Sequence, residues 1–116
     1  MAARVLPAEH EPHIIELLGF RLGRAGCEVE TETDGRRALD KALAQQPEVL
    51  ILDVMLPGLN GFDLLRRLRA DPRGSDIRVI MLTAKGQRED REAAEQLKVD
   101  EFITKPFSNA TLVETV

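Results

Sequence analysis

Several side chains that can bind cations or phosphate lie where apolar, strand-like runs of this sequence end. They are Glu9, His10 and Glu11 after the first run, Asp53 after the third, Thr83 after the fourth and Lys105 after the fifth. Carboxylate oxygens are hard ligands that suit Mg²⁺, and a lysine with a hydroxyl group can hold the oxygens of a phosphoryl group. If the fold brings these side chains together, the sequence predicts a site for a divalent cation and a phosphoryl group.

The runs that position these side chains alternate with helix-like segments along the whole chain. Strands are predicted at 4–8, 27–31, 49–52, 79–82 and 102–104, and helices at 13–25, 35–46, 61–70, 87–97 and from Ser108 onwards. This alternation predicts an α/β fold, a doubly wound five-stranded parallel sheet of flavodoxin-like topology with helices on both faces. In the strand order 2-1-3-4-5, strands one, three, four and five are neighbours, and ligands bind at their carboxyl ends.

The apolar pattern also predicts which faces are buried. The runs 49–52 and 79–82 are apolar throughout, which is typical of strands that are covered on both faces of a parallel sheet. In the third helix, Phe62, Leu65 and Leu68 are expected to face the core. Pro7 is unexpected in a central strand, because proline cannot donate a hydrogen bond to the ladder.

Length and composition narrow the class of protein. The 116 residues suffice for one domain with one core, and the net charge of −4 argues against nucleic-acid binding by this domain. Cys27 is the only cysteine, so no internal disulfide can form, and the reducing cytoplasm is the expected compartment. No apolar run reaches the roughly 18 residues that cross a bilayer, so no membrane segment is predicted.

Three segments resemble those that line the phosphorylation site of bacterial response-regulator receiver domains. They are LDVMLPG at 52–58 with Gly61 behind it, VIMLTA at 79–84 and FITKPF at 102–107. The likeness covers almost the whole chain and is greatest to receivers that precede winged-helix DNA-binding domains. It identifies residues 1–116 as one receiver domain of a two-component system with a truncated last helix, and it leaves open whether an output domain follows Val116.

The resemblance implies a role for each matching residue of the site. Asp53 would accept a phosphoryl group from a partner histidine kinase or phosphotransfer protein. Thr83 and Lys105 would contact that phosphoryl group once it is bound. Glu9, Asp53 and the backbone carbonyl of Met55 would bind Mg²⁺.

The resemblance also implies how the domain switches and associates. Phe102 would follow Thr83 in the switch between two conformations, and Pro106 would follow a cis peptide bond, a minority geometry in proteins. Related receivers dimerise through helix four, strand five and helix five with ion pairs across that face, and Thr111 and Thr115 stand in helix five where a glutamate and an arginine are expected. Since exposed ion pairs contribute only about 0.2–1 kcal/mol each, a monomer or a weak homodimer is predicted.

His10 is the main departure from the family pattern. Receivers carry two adjacent acids after the first strand; Glu9 matches the first, and His10 stands where the direct Mg²⁺ ligand is expected. Imidazole favours transition metals over Mg²⁺, so Mg²⁺ affinity is predicted to be weakened. Glu11, the next acid along, could substitute in part.

Three functions compete on these grounds. In the first, the domain is a working phosphoacceptor with altered metal affinity. In the second, it is a degenerate receiver that acts by phosphorylation-independent protein–protein interaction. A third, a small flavodoxin-like phosphatase with Asp53 as nucleophile, lacks a second acid placed as general acid or base, so the chain is predicted not to be an enzyme.

Overall fold

Five parallel strands form one sheet in the computed structural model, which describes residues 3–83, 92, 95–97 and 99–104. The strands are β1 (Arg4–Ala8), β2 (Glu28–Val29), β3 (Val49–Asp53), β4 (Arg78–Thr83) and β5 (Glu101–Thr104), in the order β2-β1-β3-β4-β5. The helices are α1 (Pro12–Arg24), α2 (Gly35–Gln45) and α3 (Gly61–Ala70). The predicted α/β fold and strand order are confirmed. The predicted helix 87–97 lies largely outside the described residues, and the one that starts at Ser108 lies wholly outside them.

Both central strands continue one residue further than the apolar runs predicted. Asp53 pairs with Leu82 in the β3–β4 register, and Thr83 pairs with Thr104 in the β4–β5 register. Backbone pairing does not require an apolar side chain, so the strands extend through the polar residues at their ends. Asp53 and Thr83 are therefore held by the sheet itself.

The second strand is shorter than predicted, and Pro7 accounts for this. The Pro7 carbonyl accepts a hydrogen bond from the Glu32 amide at 3.0 Å, on the β2 side of β1. In a parallel pair, the N–H and C=O of one residue point to the same neighbour, so the donor that proline lacks would face the Glu30 carbonyl. The regular ladder between β1 and β2 therefore ends with the last residue of β2. On the other side of β1, Leu6 and Ala8 both pair with β3, in a ladder that has no break.

We expect Pro7→Val to extend the β1–β2 ladder. The new amide at position 7 would donate to the Glu30 carbonyl, a bond worth about 0.5–1.5 kcal/mol net, partly offset by a more flexible unfolded chain. Hydrogen exchange followed by NMR should show that this amide is protected, with Pro72→Val in an exposed loop as the control. Rapid exchange at position 7 would mean that something other than the missing donor limits β2.

Apolar side chains cover the two faces of the sheet in separate clusters. Leu50 and Leu52 pack with α2 and α3 on one face, and Ile51 packs with α1 on the other. In α3, Leu65 and Leu68 are buried as predicted, but Phe62 is only half-buried and Leu64, which was not predicted, is fully buried. Phe62 lies in the first turn, at the rim of the cluster. No helix that the structure describes has the length and apolar character of a membrane span.

A largely buried arginine connects the end of α3 to the segments at the start of β4 and β5. Arg69 donates to the carbonyl of Ile77 at 2.6 Å and lies 3.7 Å from the carboxylate of Asp100. Burial lowers the pKa of the Arg69 guanidinium, and the carboxylates of Asp100 and Asp76 oppose that shift. The same Asp100 accepts from the Val79 amide at 2.7 Å. These contacts join α3, the start of β4 and the residue before β5.

Candidate functional site

The Asp53 carboxylate lies at the carboxyl end of β3, the central strand of the sheet, and is 1% exposed. Its two oxygens have different neighbours. Oδ1 accepts a hydrogen bond from the Met55 backbone N–H at 3.1 Å, and Oδ2 lies 2.5 Å from Nδ1 of His10. One oxygen is thus held by the backbone of its own loop, and the other faces a side chain from the β1–α1 loop.

The loop after β3 leads directly into a helix, and two glycines make this possible. Gly58 has φ +82°, a turn conformation that L side chains rarely adopt. Gly61 is the first residue of α3, and its N–H donates to the carbonyl of Val54 at 2.9 Å. The Asn60 side chain caps the helix by accepting from the Asp63 N–H at 2.9 Å. The prediction that Gly58 and Gly61 serve the turn and the helix start is confirmed.

Glu9 is the innermost acid of the site, with no exposed surface. Its Oε1 accepts hydrogen bonds from the backbone N–H groups of His10 and Glu11, at 3.1 and 3.2 Å. The β1–α1 loop therefore folds around the carboxylate of its first residue, and it ends at Pro12, the first residue of α1. Backbone N–H groups that point at a carboxylate stabilise its ionised form.

His10 connects the two buried acids, which the sequence could not establish. Its Nδ1 lies 2.5 Å from Oδ2 of Asp53 and 3.5 Å from Oε1 of Glu9, and its side chain is 37% exposed. An imidazole that bonds a carboxylate through Nδ1 donates its proton there. His10 is an exposed loop residue, as one interpretation of the sequence expected, but it also contacts the buried acids of the site.

The electrostatics of the cluster favour a cation. Glu9, His10 and Asp53 each offer a ligand atom, and these atoms lie within 4.8 Å of one another. Two carboxylates no further apart than that repel by at least about 3.5 kcal/mol at an effective dielectric of 20, a cost that a bound cation offsets. The oxygen donors fit the Mg²⁺ that the family resemblance implies, whereas the imidazole nitrogen does not belong to the set that Mg²⁺ prefers.

Glu11 does not join this cluster, contrary to the expectation that it could stand in for a missing acid. Its backbone N–H serves Glu9, while its carboxylate lies 3.4 Å from Nε2 of His13, on the first turn of α1. The set of described residues that could share one ion comprises Glu9, His10 and Asp53 alone. Glu11 contributes a backbone donor to the site, and its carboxylate turns to His13.

The other predicted site residues are placed only in part. Thr83 is the last residue of β4 and is 3% exposed, on the strand beside Asp53. Phe102 pairs with Met81 in β5 and packs half-buried against the core. Lys105 and Pro106 lie outside the described residues, so their roles stay predictions. The Met55 N–H is a contact of Asp53 that the sequence did not predict, because no side-chain pattern marks a backbone donor.

Comparison with known sequences places this arrangement among signalling proteins. The family profile described as "Response regulator receiver domain" matches residues 5–116. The chain is 39% identical over 104 residues to the DNA-binding dual master transcriptional regulator RpaA of Synechocystis sp., covering 90% of this chain and 43% of RpaA. It is 39% identical over 108 residues to the alkaline phosphatase synthesis transcriptional regulatory protein PhoP of Bacillus subtilis, covering 93% of this chain and 44% of PhoP. The chain thus spans less than half the length of these two regulators.

Comparison with solved structures agrees with this family. The chemotaxis protein CheY4 of Vibrio cholerae superposes with a TM-score of 0.92 at 31% identity, covering 99% of this chain and 96% of CheY4. The receiver domain of the sensor histidine kinase PA1611 of Pseudomonas aeruginosa superposes with a TM-score of 0.89 at 29% identity, covering 98% of this chain and 93% of that domain. The PA1611 structure holds a magnesium ion in its active-site cleft.

Proposed function

This chain belongs to the response regulator receiver domain family of two-component signalling, and we propose that Asp53 is the residue that accepts its phosphoryl group. The observation that carries the proposal is the position of Asp53. It is a buried carboxylate at the carboxyl end of the central strand, where ligands of doubly wound sheets bind. Glu9 is equally buried, but it lies beyond the end of β1, in a loop that folds around its Oε1.

In the proposed reaction, an oxygen of Asp53 attacks the phosphorus of a phosphohistidine on a partner protein. A new P–O bond forms, the P–N bond breaks, and the partner's imidazole leaves with the bonding electron pair. The Met55 N–H holds Oδ1 at 3.1 Å, and we assign the attack to Oδ2, which must first part from His10. A divalent cation held by Glu9, Asp53 and the Met55 carbonyl would neutralise charge on the phosphoryl oxygens.

Other residues would read the modification. Thr83, buried at the end of the neighbouring strand, and Lys105, beyond the described residues, would contact the bound phosphoryl group. Phe102 on β5 would follow Thr83, since its half-buried ring packs at the edge of the core, where a change of rotamer costs little repacking. This relay would carry the state of Asp53 to a partner-binding surface.

The wider assembly is inferred from the family and from these relatives. Receiver domains interact with histidine kinases and with output domains, so a kinase or phosphotransfer protein is the proposed donor. RpaA and PhoP are transcription regulators more than twice as long as the matching region, which supports an output domain in the same chain. We predict that this domain is cytoplasmic and that it is a monomer or a weak homodimer. We also predict that it does not bind nucleic acid itself and that it is not an enzyme.

One contact favours a second candidate function, a degenerate receiver that signals without phosphorylation. His10 Nδ1 lies 2.5 Å from Oδ2 of Asp53, the oxygen that would have to attack. A histidine at this point both blocks the nucleophile and removes a negative charge from the cation site. Under this alternative, the domain would act through protein–protein interaction with the site held in one state.

Exposure to a small acyl phosphate and a divalent cation tests both candidates. We expect one adduct, at Asp53, when the product is trapped by borohydride reduction and mapped by mass spectrometry. An adduct at Glu9 or Thr83 with Asp53 unmodified would overturn the proposal. A wild type that stays unmodified, while His10→Asp is modified at Asp53, would establish the degenerate receiver instead.

A further inference from the structure

We propose that His10 determines which cation this site accepts, and that it makes the site prefer transition-metal ions, of which Zn²⁺ is the type, to Mg²⁺. The inference concerns the same site as the proposed function and therefore deepens it. It rests on that proposal only in taking the cation to assist the phosphorylation of Asp53. The observation behind it is that a nitrogen donor lies inside the carboxylate cluster, and not beside it.

The three donors are of the kinds that Zn²⁺ accepts, one imidazole nitrogen and two carboxylate oxygens. Nδ1 of His10 lies 2.5 Å from an Asp53 oxygen and 3.5 Å from a Glu9 oxygen, and all three ligand atoms lie within 4.8 Å of one another. Zn²⁺ takes nitrogen at about 2.0–2.1 Å and carboxylate oxygen at about 2.0–2.2 Å. In the tetrahedral geometry of zinc sites, two ligand atoms of one ion lie about 3.3–3.6 Å apart. The His10–Asp53 contact would therefore open by about 1 Å, and the widest pair would close by at most about 1.5 Å.

The exposure of His10 allows its ring to move toward a shared ion. Glu9 and Asp53 are buried, and the backbone N–H groups of Glu11 and Met55 hold one oxygen of each. His10 is the exposed member, at 37%, so its ring can turn to open the contact with Asp53. Two carboxylates held by backbone N–H groups and one adjustable imidazole give three protein ligands with an entry from solvent, and three is the number of protein ligands in an open zinc site.

The same substitution weakens Mg²⁺. A neutral imidazole at position 10 leaves two carboxylates where an acidic pair and Asp53 would supply three negative charges. The lost attraction, after desolvation is taken into account, corresponds to about ten- to hundredfold in Mg²⁺ affinity. Nitrogen donors do not make good that loss for Mg²⁺, whereas affinity for first-row transition ions rises with them. Both effects favour Zn²⁺ over Mg²⁺ at this site.

Calorimetric titration of the wild type with Zn²⁺ and with Mg²⁺, without a phosphoryl donor, tests the inference. We expect Zn²⁺ to bind at least tenfold more tightly than Mg²⁺, and Zn²⁺ to shift the ¹⁵N resonance of His10 Nδ1 in NMR. In His10→Asp, Mg²⁺ affinity should rise about ten- to hundredfold and the ratio of Zn²⁺ to Mg²⁺ affinity should fall at least tenfold.

His13→Asp is the matched control, because it makes the same change at an exposed histidine on α1 that contacts Glu11 and not Asp53. It should leave the affinity ratio unchanged. An unshifted His10 resonance at saturating Zn²⁺, or equal ratios in wild type and His10→Asp, would overturn the inference. Since no phosphoryl donor is present, either failure leaves the acceptor role of Asp53 untouched, and failure of Asp53 phosphorylation leaves these titrations unaffected.

Discussion

Asp53→Asn is expected to eliminate the phosphoryl adduct at position 53. The amide has nearly the shape of the carboxylate, and its oxygen can still accept from the Met55 N–H that Oδ1 accepts from at 3.1 Å. It carries no anionic oxygen, however, and so cannot form an acyl phosphate. Phosphotransfer from a small acyl phosphate should therefore vanish while the fold persists. Mass spectrometry of the intact protein measures the loss.

Asp40→Asn is the control for this change, since Asp40 is an exposed acid on α2, away from the site. It should accept phosphate at the rate of the wild type. Far-UV circular dichroism of both variants checks the fold, and it is the appropriate probe because the chain contains neither Trp nor Tyr. Continued modification of Asp53→Asn at another residue would show that the acceptor lies elsewhere.

Gly61→Ala is expected to lower the free energy of unfolding by about 2–3 kcal/mol, at the upper end of overpacking effects. A Cβ at Gly61 would lie 2.5 Å from the carbonyl oxygen of Asp53 and 2.9 Å from the Cα of Val54. Both atoms belong to the backbone, so the strain cannot be relieved by turning a side chain. The loop must shift where it holds Asp53, and phosphorylation should slow as well. Urea denaturation followed by circular dichroism measures the stability.

Gly19→Ala provides the comparison within the same chain. Gly19 lies inside α1, and a Cβ there would meet nothing within 4 Å. Alanine is favoured over glycine in helix interiors by roughly 1 kcal/mol, so this variant should gain stability. Equal effects of Gly19→Ala and Gly61→Ala would show that the close approach of α3 to β3 carries no cost.

The sequence by itself determined the order of the elements and the edge of the sheet at which the site lies. Uninterrupted apolar runs ending in Asp53 and Thr83 predict buried parallel strands, and the topology rule for such sheets then brings their ends together. These inferences succeed because they rest on periodicity and chain connectivity, which a single sequence records. The roles of Gly58 and Gly61 could be predicted for the same reason, since turns and helix starts have local residue preferences.

Only the tertiary structure decided which groups of the site contact one another. The sequence shows that His10 interrupts an acidic pair, but not that its Nδ1 reaches Asp53, 43 positions away, nor that Glu11 turns to His13 instead. The sequence also shows Pro7 in a strand. It does not show that the missing N–H would face β2, so that pairing with β3 is unaffected. These outcomes depend on which way a side chain or a peptide unit points. That direction is set by packing and hydrogen bonding between segments distant in sequence, and not by residue type.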